Sequence, residues 1–500
     1  MKYTPVIGME VHVELKTQSK MFCACKNGLG LEKEPNTHIC PVCTAQPGTL
    51  PVPNRQAIEF VQRAGLALNC TIRLLSKFDR KNYFYPDIPK GYQISQYDEP
   101  LCEGGVMTID GVTSETEAKA HGKDIRITRI HMEEDTGKSS HPAGADYTLV
   151  DFNRAGVPLM ELVTEPDIST GKEARAFCQR LQQTLRYIGI SDADMEKGQM
   201  RCEVNISLHK EGADRLSGTK AEIKNINSFR AVERAIDFEI KRQTEMLDEG
   251  ETIIQETRGW DESKGETVSQ RKKESAHDYR YFPEPDIPPL HFTKDYVDAM
   301  RRSLPELPQA KEMRFQEEYK LNADDAIMLA SDKDLAAYFE NVIMDLTSKV
   351  AAKEIESPVE KLIKLTANYI ISELRKHFIK TGETIRDIRI TPENFAELIG
   401  FIGDGKINSS AAQIVLEEMY KGGDNDPSHI IEEKNLSQVS DVSALEAIVD
   451  AILAANQQSV EDYKNGKQAA FQFLIGQVMK ETKGKANPQV VGGVLTKKLQ

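Results

Sequence analysis

Near the N-terminus, Gly8-Met9-Glu10-Val11-His12-Val13-Glu14-Leu15 alternates polar and apolar side chains without a break. A strand turns successive side chains to opposite faces, so Glu10, His12 and Glu14 share one face and Met9, Val11, Val13 and Leu15 the other. A chain built on this run must give one face a core and the other a use. Carboxylate, imidazole and carboxylate in a row form a donor set for a hard cation such as Mg²⁺, which commonly shares its oxygens with substrate phosphates. The same row also suits a solvated sheet face laced by cross-strand ion pairs.

The pattern recurs. Arg201, Glu203, Asn205 and Ser207 alternate with Cys202, Val204, Ile206 and Leu208, and Lys220, Glu222 and Lys224 alternate with Ala221 and Ile223. Several strands with one greasy and one charged face describe an antiparallel sheet whose exposed side is a working surface. Helices interrupt them, with Asn54, Thr170 and Ser228 as N-caps, Glu173 completing a capping box and Gly189 as a stop. Four prolines in residues 283–289 close this region, and the pattern beyond is helical. The expected fold class is therefore α+β: an antiparallel-sheet domain over residues 1–292, an all-helical middle domain over 293–405 and a helical tail over 406–500.

Five hundred residues exceed one ordinary core, in keeping with several domains. No run approaches the twenty or so apolar residues of a membrane helix, and Met1-Lys2-Tyr3-Thr4-Pro5 enters the first strand with no secretory signal. The expected compartment is the cytoplasm, where cysteines serve as thiols or metal ligands. A net charge of -14 argues against indiscriminate nucleic-acid binding. The local exception is the end of the chain, where Lys464, Lys467, Lys480, Lys483, Lys485, Lys497 and Lys498 face a single acid, Glu481, a balance suited to a polyanion.

Cys23 and Cys25 form one close pair, and Cys40 and Cys43 another. Four thiolates so spaced satisfy tetrahedral Zn²⁺ in a structural knuckle over residues 23–43, with His38 able to replace one of them. Thr136-Gly137-Lys138-Ser139 ends like a P-loop, but Met132 occupies the position of the motif's leading glycine, so any ATP chemistry needs another scaffold. Just before it, Glu133, Glu134 and Asp135 are three consecutive acids that repel one another unless cations intervene. Glu161 is a carboxylate inside an apolar strand, costly without a partner. Glu10, His12, Glu134, Glu161 and Glu203 are the candidates to converge on one metal–phosphate site. Residues 77–97 interleave Lys77, Arg80, Lys81 and Lys90 with six aromatics, a composition that holds phosphate while stacking on a base.

Taken together, these stretches resemble the GatB family, the B subunits of the tRNA-dependent amidotransferases. The likeness runs through residues 8–15, 77–97, 129–138, 151–156, 201–205, 218–225 and 277–289 and on into the tail at 463–467 and 486–489, covering nearly the whole chain. It implies a cradle-shaped N-terminal domain, a helical domain and a tRNA-holding tail, in a cytoplasmic heterotrimer with an amidase (GatA) and a small clasping partner (GatC). The implied activity is that of an ATP-dependent ligase in protein biosynthesis, converting Glu-tRNA(Gln) or Asp-tRNA(Asn) to Gln-tRNA(Gln) or Asn-tRNA(Asn) with glutamine as amido donor. ATP phosphorylates the side-chain carboxylate, and ammonia from the amidase displaces the phosphate. By resemblance Glu10, His12 and Glu134 contact magnesium, Glu161, Glu203 and Lys220 follow on the nucleotide side, and Lys81 and Tyr83 hold phosphate or the acceptor end. Two rival readings stand beside this one: a tRNA-binding scaffold without chemistry, and a free-standing amide ligase.

Overall fold

The computed structural model describes residues 3–109, 122–272, 279–422, 426–437, 442–482, 486 and 488–499. The chain forms two compact units, Met1–Leu307 and Pro308–Gln500.

The first unit is built on a ten-stranded sheet. Its centre is the run that opens the sequence, now the strand Tyr3–Glu14, paired antiparallel with Pro158–Thr164 on one side and Met200–Lys210 on the other. Lys123–Glu134 follows beyond Pro158–Thr164, and Ala221–Ile226 beyond Met200–Lys210. A bulge at Val163 and Thr164 shifts the register against Lys123–Glu134. One junction departs from the antiparallel expectation: Ala221–Ile226 pairs parallel with Glu256–Asp261. A parallel pair needs a crossover connection, supplied here by the helix Phe229–Asp248.

The expected caps are in place. Asn54 accepts from the amides of Gln56 and Ala57, Thr170 from that of Glu173, and Ser228 from that of Ala231. Gly189 adopts φ +77°, the left-handed geometry that ends the helix Gly171–Tyr187. Met9, Val11, Val13 and Leu15 are at most 1% exposed and share one core with Phe177, Leu181, Val232 and Ile236 of these helices. At roughly 1.5–3 kcal/mol per large buried side chain, this packing pins the polar faces of the strands to the side away from that core.

A three-stranded sheet of Asp79–Asn82, Tyr92–Ser95 and Phe282–Pro283 brings the basic–aromatic segment to the end of Lys123–Glu134. Past the proline-rich run, the helix Lys294–Arg302 returns Met300 to the first unit's core.

The regular elements named in the second unit are all helices. It holds two hydrophobic clusters, one around Phe339, Leu362, Phe395 and Val415 and one around Leu445, Val449, Leu474, Val478 and Leu495. Among the described residues no helix is long and apolar enough to cross a membrane.

Candidate functional site

Strand register assembles the polar face into rows. Arg201, His12, Glu161 and His131 lie abreast across four strands, and Glu203 lies opposite Glu10 one row away. His12 Nε2 is 3.3 Å from Glu161 Oε2 and 3.8 Å from both Glu10 and Glu133. His131 Nε2 is also 3.3 Å from Glu161 Oε2, and Lys81 Nζ is 3.6 Å from Glu133. Each of Glu10–His12–Glu161, His131–Glu133–Glu161 and Glu10–Glu203–Glu222 offers ligand atoms within 4.8 Å of one another.

So many acids in one place perturb one another. Burial and the charge of Glu161 push the Glu10 carboxyl up to about 7. Burial alone would lower His12, but its hydrogen bond to Glu161 and the charges of Glu161 and Glu133 outweigh that and lift it to about 9. For Glu161, burial opposes ionisation, yet the two histidines hold it well below the usual carboxylate range. Lys81 is lifted above the ordinary lysine value, against its burial, by Glu133 and Glu161. One row further, burial and the neighbouring Asp135 push Glu14 up to about 9, while Arg201 NH2 donates to Asp135 at 2.8 Å. A divalent cation would relieve this repulsion, and the mixture of carboxylate oxygens with one imidazole fits a magnesium-class ion.

Of the expected residues, Glu10, His12 and Glu161 come together, with Glu203 beside Glu10. Lys81 reaches in from the small sheet, its ammonium 5.4 Å above the Tyr279 ring. Tyr83 packs edge-on against Tyr85 and Tyr279 and donates to Gln93 at 3.3 Å. Glu134 is placed differently. Its carboxylate pairs with Lys90 Nζ at 2.6 Å and accepts from the Ile94 amide, so the acid that meets His12 is its neighbour Glu133. Lys220 is exposed and precedes its strand, whereas Lys224 enters the acidic face, 2.8 Å from Glu203 and 3.6 Å from Glu222.

Sequence reasoning passed over Glu133, His131 and Lys224 as individuals. Alternation carried back from Glu133 puts Arg129, His131 and Glu133 on one face and Glu134 on the other, a signal present in the sequence. Tyr281, stacked on Tyr97 at 4.4 Å, extends the aromatic wall over Lys81. The segment around Gly137 forms no P-loop: the Gly137 amide donates to Asp87 O, and Lys138–Ser140 is a short strand rather than a helix start.

The four cysteines meet as their spacing predicts. Cys23, Cys25, Cys40 and Cys43 bring their sulfurs within 4.8 Å of one another, and the Cys40 amide donates to Cys43 Sγ at 3.2 Å. A hydrogen bond from Cys23, the Cys40 amide and nearby Lys20 bring the Cys43 thiol down to about 5 against its burial. Four such sulfurs fit a tetrahedral soft cation of the zinc class. His38 is not among the ligand atoms that converge there; its Nδ1 lies 2.6 Å from Glu32. Beside the cluster opens a cavity of about 270 Å³ bounded by Phe22, Cys43, Lys90, Tyr92 and Glu134.

Residues 5–298 match the family described as the GatB/GatE catalytic domain, and residues 353–499 match the GatB domain. The chain is 48% identical to the B subunit of the aspartyl/glutamyl-tRNA(Asn/Gln) amidotransferase of Carboxydothermus hydrogenoformans, over 100% of this chain and 99% of that one. Proteins of the same description from Thermoanaerobacter pseudethanolicus and Persephonella marina are each 49% identical, over the full length of both chains.

Proposed function

The chain belongs to the GatB family, and from that premise we propose that it is the B subunit of an aspartyl/glutamyl-tRNA(Asn/Gln) amidotransferase in which the acidic face of its N-terminal sheet activates the misacylated aminoacyl group. The observation that carries the reading is the convergence of Glu10, His12, Glu133 and Glu161 from three strands, roofed by Lys81 and tyrosines.

The substrate's side-chain carboxylate is too poor an electrophile for ammonia, so ATP must first convert it to an acyl phosphate. Glu10, His12, Glu133 and Glu161 would hold magnesium, which would supply charge neutralisation for that phosphoryl transfer. The chain's own residues do the rest. Lys81 sits beside Glu133 with its ammonium over the Tyr279 ring, so it presents a fixed cation to an incoming phosphate oxygen. Glu203 and Glu222 keep Lys224 at the edge of the same face as a second cation. Tyr83, Tyr279 and Tyr281 wall the site and offer flat surfaces to the acceptor end's terminal base. Glu134, paired with Lys90, holds the 83–93 segment in place. Ammonia arrives from an amidase partner, and a small third chain completes a cytoplasmic heterotrimer. The helical unit Pro308–Gln500, which begins later than residue 293 because Lys294–Arg302 packs in the first unit and whose first cluster runs past residue 405 to Ile431, carries the body of the tRNA, and the four-cysteine knuckle holds structural zinc.

The decisive experiment uses the reconstituted trimer with misacylated tRNA. Glu10→Ala should abolish ATP-dependent formation of the activated aminoacyl-tRNA while the complex keeps its glutaminase activity. Full transamidation by that variant would favour the scaffold reading. The isolated chain should show no glutamine hydrolysis, which sets it apart from a free-standing amide ligase.

A further inference from the structure

Lys20 is fully buried, with 0% of its surface exposed. Taking an ammonium out of water costs several kcal/mol unless an opposite charge meets it. Among the described residues Lys20 makes no salt bridge to a carboxylate. Its two polar neighbours are Phe152 O at 3.2 Å and Cys43 Sγ at 3.8 Å. Glu134, on the same wall of the neighbouring cavity as Cys43, is already engaged by Lys90 at 2.6 Å. A carbonyl offers a dipole and no charge, so the ionisable group in direct contact with the ammonium is the Cys43 sulfur.

The backbone ties this lysine to both cysteine pairs. Its amide donates to Cys25 O at 2.9 Å, while its side chain runs past Gly156, whose φ of +84° carries the chain around the stem, and ends at Cys43. A divalent cation bound by four thiolates is doubly negative overall and would match the ammonium.

We propose that Lys20 is the built-in counter-ion of an anionic four-thiolate metal site formed by Cys23, Cys25, Cys40 and Cys43. The proposal rests on the metal reading of that cluster and assigns the charge state in which the metal is held. The ammonium offsets part of the negative charge of the loaded site, so occupancy of the knuckle and burial of Lys20 are coupled.

The test uses the full-length chain, loaded with zinc or cobalt and stripped by chelator. Zinc affinity is measured by competition with a chromophoric chelator for wild type, Lys20→Met and Lys20→Arg. Lys20→Met should bind zinc about 10–100-fold more weakly, the range typical of groups that support metal ligands from outside the ligand shell, and Lys20→Arg should stay within a few-fold of wild type. Stripping the metal should lower the thermal midpoint more in wild type than in Lys20→Met, because only wild type loses the attraction between the ammonium and the loaded site. A purely structural role for the lysine would make the two decreases equal, and that result, or an unchanged zinc affinity, overturns the proposal. Should Lys20→Met not fold, Lys20→Gln retains a donor without the charge and is read the same way. A wild-type chain that takes up neither zinc nor cobalt would sink the metal reading itself, whereas uptake indifferent to Lys20 would sink only this proposal.

Discussion

His12 and His131 approach a single oxygen, Glu161 Oε2, each with its Nε2 at 3.3 Å. Behind His131, Arg129 Nε donates to Nδ1 at 3.4 Å, which leaves the Nε2 proton to point at Glu161. A carboxylate anchored in this way keeps its orientation whether or not a cation is present, as ligands supported by neighbouring hydrogen bonds do. Glu161→Gln preserves the shape and removes the charge. It should weaken Mn²⁺ binding, read by electron paramagnetic resonance, about 10–100-fold while leaving circular dichroism unchanged. Unaltered Mn²⁺ affinity would remove Glu161 from the cation site.

Glu133 and Glu134 are neighbours with different partners, and their variants should fail differently. Glu133→Gln takes a charge from beside His12 and Lys81, so the magnesium concentration needed for transamidation should rise at least about tenfold. Glu134→Gln leaves Lys90 without its ion pair, so it should weaken the use of aminoacyl-tRNA with the magnesium requirement unchanged. A magnesium titration of both variants in the assembled enzyme separates the two roles. The opposite pattern would put Glu134 at the cation, in line with the sequence expectation.

Asp167 accepts two bonds from the Arg126 guanidinium and a third from its backbone amide. Those contacts with Arg126, opposed by burial, bring the carboxyl down to about 2. A carboxyl depressed by folding contributes stability above its unfolded value near 4, and that contribution fades as pH falls toward 2. Because Arg126 is largely exposed, solvent screening keeps that contribution small. Asp167→Asn should therefore lower the thermal midpoint at pH 7, with the gap to wild type narrowing between pH 5 and pH 3. A gap that widens on acidification contradicts the assignment.

Lys464, Lys480 and Lys497 are exposed in the tail, while Lys467 pairs with Asp462 and Lys498 with Asp450. Lys483 and Lys485 lie outside the described residues. Truncation at Lys464 would also strip Leu474, Val478 and Leu495 from the cluster that buries Leu445 and Val449, so charge removal is the cleaner probe. Lys464→Ala with Lys480→Ala and Lys497→Ala should weaken tRNA binding at low salt and flatten its salt dependence by roughly one unit of slope for each phosphate no longer neutralised. An unchanged slope would take this surface out of the interface.

What the sequence made legible was local. Alternation over residues 8–15 assigned the buried and polar sides of the central strand, and Asn54, Thr170 and Ser228 announced their helices because a cap is decided within three residues. The cysteine cluster was readable for the same reason: each pair closes a tight turn. Register between distant strands is not local. Nothing near His12 says that Glu161, and beyond it His131, will lie abreast of it. The parallel pairing of Ala221–Ile226 with Glu256–Asp261 was hidden likewise, since it depends on a whole helix returning the chain to the sheet. Glu133 lies between these cases, because its face follows from parity but its partners do not.

The bulge at Val163 and Thr164 fixes the count along Lys123–Glu134. Sliding that strand by a single position would trade the two adjacent acids, sending Glu134 toward the histidines and Glu133 toward Lys90, with every atom of the sequence still present. Insertions and deletions that surface loops absorb freely are therefore forbidden between Arg129 and Glu134. There the arithmetic of the backbone is itself part of the chemistry.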